Sequence, residues 1–302
     1  MGIDLHNLNL LAYAQDRGVR FDSTLAIGRQ GVFIDPPEFE HHRRIRRSPP
    51  LTEPGVPRYF EPLMHQWFGA TTADSVDASP YENARFIHDM NLPWPADGPE
   101  RGRYDAVLDF GCLEHVFDFP VAWRNCVDLC RVGGHVLHAL PANNLSGHGF
   151  YQFSPELFFN LYQPSRGFEL VDLFFAMKAD AAHWWRVANP MTVKRRVNLR
   201  NSHEVYMLVI ARKLADVGAL AAPQQSDYAE GDWLQPSPVQ GPTIDTPTAR
   251  SRAVALLHDF GLIAAARSLR ERLRVIRHSG FDLPRADYDK LSVDALIARA
   301  LP

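Results

Sequence analysis

Short apolar runs of strand length alternate with helical patterns through the first two thirds of the chain, and this alternation constrains the fold more than any other feature. Thr24 to Ile27 is a short apolar strand ending at Gly28, Phe60 to Phe68 reads as a helix, and Ala73 to Asp77 and Ala84 to Ile87 read as further strands. Tyr104 to Phe110 is a compact apolar strand, Val121 to Arg131 a helix, and Gly133-Gly134 a turn into the strand His135 to Leu140. Strands separated by helices need crossover connections, so the pattern predicts an α/β fold with a mainly parallel sheet flanked by helices.

The remaining segments read around that sheet. Leu5, Leu8, Leu10, Leu11 and Tyr13 fall at near-helical spacing and make residues 4–17 an amphipathic leading helix. Residues 36–57, rich in Pro, His and Arg without a clean period, read as an excursion or loop. Its basic run, His41, His42, Arg43, Arg44, Arg46 and Arg47, is either a patch for a phosphate or anionic sugar or, more simply, a solvated charge run. Ser154 suits a helix N-cap and Pro155 a first helical position, with Leu157, Phe158 and Leu161 on the apolar face. Phe168 to Phe174 and Glu204 to Ala211 read as the last two strands. Residues 1–214 thus form one domain, and the Pro-, Gln-, Ser- and Gly-rich residues 215–248 a linker. Residues 249–302 form a helical extension whose stripe through Val254, Leu257, Leu262, Ala265, Leu269, Leu273 and Ile276 suits a docking face or a homodimer contact.

A chain of 302 residues with ordinary apolar content can bury one large core with appendages. Its formal charge of −3 gives no global attraction to nucleic acid or anionic lipid. No apolar run approaches the ~20 residues that span a bilayer, and Met1 to Asn9 lacks the basic-then-apolar signature of an export signal, which predicts a cytoplasmic protein without a membrane span. Cys112, Cys126 and Cys130 lack Cys-x-x-Cys spacing and read as buried free thiols, although Cys126 and Cys130 share a face of the predicted helix.

In an open parallel sheet, ligands bind at the carboxyl ends of strands near the point where strand order reverses. There the chain places Gly28-Arg29-Gln30-Gly31, Asp77-Ala78, Asp89-Met90 and Asp109 followed by Glu114-His115. A carboxylate at Asp77 suits the two hydroxyls of a ribose, or caps a turn. Asp89 suits an adenine amino group with an apolar neighbour such as Met90 over the ring, or shapes a loop.

The run Tyr104-Asp105-Ala106-Val107, then Leu113-Glu114-His115-Val116, Arg131-Val132-Gly133-Gly134 and Ala139-Leu140-Pro141 is similar to the fourth- and fifth-strand block of class I, Rossmann-like methyltransferases of the "methyltransferase type 11" kind. Gly147 to Glu156, reading Gly-His-Gly-Phe-Tyr-Gln-Phe-Ser-Pro-Glu, resembles the substrate-side loop of a bacterial subgroup associated with surface-glycan or sugar methylation. The resemblance runs from about Leu25 to Ala211 and is strong from Tyr104 to Glu156. It implies S-adenosylmethionine as cofactor, with Gly28 as the remnant of the glycine loop, Asp77 as ribose ligand and Asp89 as adenine contact. Where relatives carry a Gly-x-Gly-x-Gly loop, this chain has Gly28-Arg29-Gln30-Gly31. Either the loop takes a different path, with Arg29 meeting the cofactor carboxylate, or cofactor binding is weakened or lost.

Methyl transfer from a sulfonium is an in-line displacement that needs positioning and, for a hydroxyl acceptor, a base. His115, beside Glu114, and His148, between two glycines after the fifth strand, are the candidate bases. Asn143, Tyr151, Gln152 and Glu156 are candidate ligands for a small-molecule or glycan acceptor. Asp109, Glu114 and His115 lie close in sequence, but no ligand spacing accompanies them and no metal is expected. The rival to an enzyme is a non-catalytic methyltransferase-like scaffold. An NAD-linked oxidoreductase would need a Gly-x-Gly-x-x-Gly fingerprint and a Tyr-x-x-x-Lys pair, and neither is present.

Overall fold

The computed structural model describes residues 2–216, 218, 222–229 and 283–298. In chain order its elements are β1 (Gly2–Ile3), α1 (Leu5–Asp16), β2 (Ser23–Ile27), β3 (Gly31–Val32), α2 (Pro36–Arg46), α3 (Glu61–Trp67), β4 (Thr72–Asp77), β5 (Phe86–Ile87), β6 (Tyr104–Phe110), α4 (Phe119–Leu129), β7 (Cys130–Asn143), α5 (Pro155–Leu161), β8 (Phe168–Met177), β9 (His183–Val187), β10 (Val205–Lys213) and β11 (Tyr288–Ser292). Short helical turns at Leu113–His115, Pro164–Arg166, Pro190–Val193, Ser226–Ala229 and Val293–Ile297 lie among them.

Nine strands form one Rossmann-like sheet in the order β11-β9-β8-β10-β7-β6-β2-β4-β5. From β5 through β4, β2 and β6 to β7 every pairing is parallel, as the strand and helix alternation requires. From β7 onward through β10, β8, β9 and β11 each pairing is antiparallel. The chain builds outward from β2 to β4 and β5, then returns to add β6 and β7 on the other side of β2. Strand order therefore reverses between β2 and β6, and the crevice above their carboxyl ends is where such a sheet binds ligands.

Alternation of side chains fixes the layers. Along β10, Val205, Met207, Val209 and Ala211 enter one core while Leu208 and Ile210 enter the other; along β8, Leu173, Phe175 and Met177 oppose Phe174 and Ala176 in the same way. One core is covered by α4 and α5 through Trp123, Cys126, Phe158 and Leu161. The other is covered by α1, α3 and the turn Val293–Ile297. Each fully buried Phe or Leu contributes about 1.5–3 kcal/mol, so both faces of the sheet are held and its strand ends form a rigid platform.

Several segments depart from the sequence reading. The leading helix α1 is not amphipathic: His6, Asn7 and Asn9 are buried with its leucines, and Trp184 Nε1 donates to His6 Nδ1 at 3.1 Å. Residues 36–46, expected as loop, form helix α2, with Pro36 and Pro37 in its first turn and Arg43, Arg44 and Arg46 in its last. Its inward stripe is Phe39, His42 and Arg46, so the basic run is partly interior. The Arg46 guanidinium pairs with Asp16 and donates to Ile297 O at 2.7 Å, and His42 Nδ1 lies 2.7 Å from Asn9 Oδ1. Gly133, left-handed at φ 82°, bends the start of β7 instead of separating it from α4 by a turn. Cys126 lies on α4 but Cys130 opens β7, and all three thiols are buried and free.

β9 and β11 were not anticipated. Within the expected helical extension, residues 283–298 supply β11, which pairs with β9 at the sheet edge. The apolar stripe of residues 249–277, with the homodimer contact it suggested, and most of the 215–248 linker lie outside the described residues. Among the described residues, no helix is long and apolar enough to cross a membrane.

Candidate functional site

Gly28 ends β2 with φ 76°, and its N–H donates to Val76 O on β4 at 2.7 Å, so the chain turns sharply at the switch point. The next two side chains leave in different directions. Gln30 is buried and folds back, its Nε2 donating to Ile27 O at 2.7 Å and to Gly28 O at 3.3 Å. Arg29 runs sideways: Nε donates to Glu61 Oε1 at 2.8 Å, Nη1 to Glu82 O at 2.7 Å, and the guanidinium carbon lies 4.0 Å from the Tyr59 ring centroid. Gly31 then pairs with Gly2 in the β1–β3 ladder. Arg29 is thus engaged by Glu61, Glu82 O and the Tyr59 ring.

Asp77 ends β4 half-buried, accepting only a 3.3 Å hydrogen bond from Ser79 N–H among the contacts described. Ala78 beside it is exposed. Burial, then the charges of Asp109, Glu114 and Asp77, push the Cys112 thiol well up. A carboxylate with acceptor capacity to spare, next to a sharp glycine turn at the switch point, fits a ribose diol. Asp89 is exposed and accepts from Asn91 N and Nδ2, both at 2.9 Å; these bonds hold it below the usual carboxylate range and make it the former of its own turn. Met90 is a buried core residue whose carbonyl faces Asn125 Nδ2 at 3.5 Å.

The end of β6 carries two buried carboxylates with opposite surroundings. Asp109, expected to face the cofactor, is fully buried and committed elsewhere: Oδ1 accepts from Cys112 N at 3.1 Å and Leu113 N at 3.2 Å, and Oδ2 lies 2.7 Å from His138 Nδ1. His138 Nε2 lies 2.6 Å from Tyr162 Oη, which accepts from Trp123 Nε1 at 2.9 Å. An indole N–H can only donate, so Tyr162 Oη accepts from Trp123 while it stands within hydrogen-bond distance of His138 Nε2. The chain of bonds is closed, and it ties β6 and β7 to α4 and α5. Sequence reading missed it; a histidine within the apolar run of β7 was the available signal.

Glu114 is equally buried, yet neither of its carboxylate oxygens has a hydrogen-bond partner. Burial, with the charge of Asp109 adding, pushes its carboxyl up to about 8. Its Oε1 lies 3.3 Å from His148 Nε2 and 3.8 Å from His115 Nε2, and the two imidazole rings meet edge to face at 4.9 Å. Both imidazoles are roughly half-exposed, while the carboxylate lies beneath them. Burial, then His148, holds His115 below its ordinary value, which favours the uncharged imidazole.

The loop after β7 is clamped onto this point. Phe150 N donates to Glu114 O at 2.7 Å and Tyr151 N to the same oxygen at 3.3 Å. Gly149 has φ 72°, and a Cβ there would stand 2.7 Å from Glu114 O and 2.9 Å from Glu114 Cγ, so only glycine allows the approach. Tyr151 Oη donates to Phe117 O at 2.7 Å and Gln152 Oε1 accepts from Leu145 N at 2.8 Å, so both candidate acceptor ligands help to shape the loop. Asn143 Nδ2 donates to Asn201 Oδ1 at 3.1 Å. Glu156 caps elsewhere, its Oε1 accepting from Asn160 Nδ2 at 2.8 Å and Ser226 N at 2.6 Å. Phe117 and Phe150, which sequence reading did not single out, are 74% and 68% exposed and meet edge to face at 6.3 Å. Each adjoins the cluster in sequence and offers an apolar ring face to a ligand.

No family model matches the chain, and no curated protein matches it. Among solved structures it is similar to Burkholderia thailandensis 1,6-didemethyltoxoflavin-N1-methyltransferase with bound 1,6-didemethyltoxoflavin and S-adenosylhomocysteine, at 14% identity over 70% of this chain and 79% of that one, with a TM-score of 0.36. It is similar to the N-methyltransferase NodS from Bradyrhizobium japonicum with S-adenosylhomocysteine, at 12% identity over 68% and 84%, TM-score 0.37. The YcgJ protein from Bacillus subtilis gives 12% identity over 68% and 97%, TM-score 0.37.

Proposed function

We propose that the chain is an S-adenosylmethionine-dependent methyltransferase that methylates a hydroxyl of a sugar or surface glycan. The observation that carries this reading is Glu114, buried without a hydrogen bond against His115 and His148, at the crevice where strand order reverses. The resemblance of the Tyr104 to Glu156 segment to class I methyltransferases supports it. The cofactor, when bound, supplies a methyl group on a sulfonium. Gly28 would give it close approach to the backbone and Asp77 would accept hydrogen bonds from its ribose hydroxyls.

On the acceptor side, Phe117 and Phe150 offer aromatic faces to the apolar CH face of a sugar ring. The acceptor oxygen would sit above Glu114; as the O–CH3 bond forms and the S–CH3 bond breaks, its proton would pass to His115 or His148. Sequence reading assigns that task to a histidine base, and such groups contribute about 10²- to 10⁴-fold. Purified protein given S-adenosylmethionine and a panel of sugars and nucleotide-sugars should release S-adenosylhomocysteine with a subset of them. Mass spectrometry of surface glycan from a deletion strain should show one lost methyl group; an unchanged glycan sinks the acceptor assignment.

One observation favours a second reading, a non-catalytic scaffold on the same fold: Arg29 is held by Tyr59, Glu61 and Glu82 instead of awaiting a cofactor carboxylate. Absence of heat on titrating S-adenosylmethionine or S-adenosylhomocysteine into the protein would establish that alternative.

A further inference from the structure

We infer that Glu114, His115 and His148 bind a divalent transition-metal ion. Each offers one ligand atom, and the three atoms lie within 4.8 Å of one another. Two ligands about 2.1 Å from a metal at a tetrahedral angle are ~3.4 Å apart. Glu114 Oε1 and His148 Nε2 already stand at 3.3 Å, and Glu114 Oε1 and His115 Nε2 at 3.8 Å. Both imidazoles are half-exposed, so their rings are free to turn over Glu114 Oε1 and close the set around an ion.

A second observation points independently to a ligand. Neither Glu114 oxygen makes a hydrogen bond, although two imidazoles stand over Oε1, so this buried carboxyl keeps unused acceptor capacity beneath a surface that the imidazoles leave open. The loop bonds around Glu114 involve its backbone oxygen, so they orient the residue and leave its carboxylate for something else. Asp109, five residues earlier, shows how the same strand end satisfies a carboxylate meant only for structure. Two imidazoles and one carboxylate with open positions select first-row ions of the zinc and iron(II) class over magnesium or calcium, which prefer all-oxygen sites. The sequence expectation of no metal came from local spacing, which cannot reveal that His148 returns to Glu114 from the far side of β7.

Binding of the ion does not depend on methyl transfer; its role rests on that reading. An ion between buried Glu114 and the open crevice would polarise the acceptor hydroxyl. The hydroxyl proton then passes to solvent while the O–CH3 bond forms, the S–CH3 bond breaks and the sulfonium becomes a neutral thioether. His115 and His148 would serve as ligands in that state, and the raised acidity of the ion-bound hydroxyl would remove the need for a base.

The test is titration of metal-depleted full-length protein with cobalt(II), read by visible ligand-field absorption, and with zinc(II), read by calorimetry. One equivalent per chain is expected in each. Glu114→Gln, His115→Ala and His148→Ala should each weaken binding more than tenfold, while His41→Ala, at an exposed histidine paired with Asp294 on another face, should not. Thermal melts of the unmodified protein should rise with zinc(II), which keeps the test valid if a variant folds poorly. No ligand-field band in the unmodified protein, or equal affinity in all variants, overturns the site. S-adenosylhomocysteine binding to the metal-free protein is scored separately: metal binding without it would leave the site standing and remove methyl transfer, and the converse would do the opposite.

Discussion

Asp109 and Glu114 leave the same strand, are equally buried and each face histidine, yet they are treated in opposite ways. Asp109 sits in a closed chain of bonds through His138, Tyr162 and Trp123 that joins two strands to two helices. Glu114 sits under two half-exposed imidazoles, 3.3 and 3.8 Å from Oε1, with no hydrogen bond to either oxygen. A fully satisfied buried network specifies a fold, whereas an unsatisfied one at a strand-order reversal is a cost retained for a ligand or a reaction. Carboxylate and histidine are common to both, so residue type alone does not distinguish a brace from a site; the count of satisfied atoms does.

The largest effect that sharpens this contrast is expected at the open cluster. Glu114→Gln keeps shape and should lower methyl-transfer kcat by about 10²- to 10⁴-fold, with the melting temperature moved by less than ~5 °C. A variant with normal turnover would break the contrast. At the closed network the result should invert. Asp109→Ala removes the acceptor from a buried histidine and from two backbone N–H groups and should cost about 3–5 kcal/mol in urea unfolding. Any protein that remains folded should keep S-adenosylhomocysteine binding.

A smaller effect separates the loop from the cluster it clamps. Gly149→Ala places a Cβ against Glu114 and should displace the loop, lowering kcat by about 10- to 100-fold without a comparable loss of cofactor affinity. The smallest expected effect concerns a third kind of buried histidine. His42 faces the neutral Asn9, and burial, with Arg46 adding, holds it down at about 3. Its folded value lies below its unfolded one, so the stability it carries is intact above pH ~6.5 and is lost as pH falls toward 3. At pH 5 the loss should be about 1–2 kcal/mol, and His42→Asn should flatten the fall in melting temperature between pH 7 and pH 5. An unchanged pH profile would show that His42 is not held neutral.

What the sequence made legible follows from where apolar pattern carries the information. The strand Tyr104–Phe110 was readable to the residue because it is buried along its whole length and followed by glycine. Helix α2 was hidden because its inward stripe includes His42 and Arg46, which a count of apolar residues treats as surface. The edge strand Tyr288–Ser292 was hidden because an edge needs little apolar content, and three of its five residues are polar or charged. Glu114 and His115 were visible as neighbours and His148 as a loop residue, but their meeting depends on the Gly149 turn and the Phe150 bond to Glu114 O. The commitment of Asp109 to His138, 29 residues away, could not be read from any local window.

The central claim is that the crevice at Gly28 and Asp77 takes S-adenosylmethionine and presents its methyl group to Glu114, His115 and His148. Calorimetry with S-adenosylhomocysteine tests it most directly, on the unmodified protein and on Asp77→Ala. The account predicts one site per chain, weakened more than tenfold in Asp77→Ala with folding unchanged and retained in Glu114→Gln. No binding to the unmodified protein, or equal binding to Asp77→Ala, would contradict it.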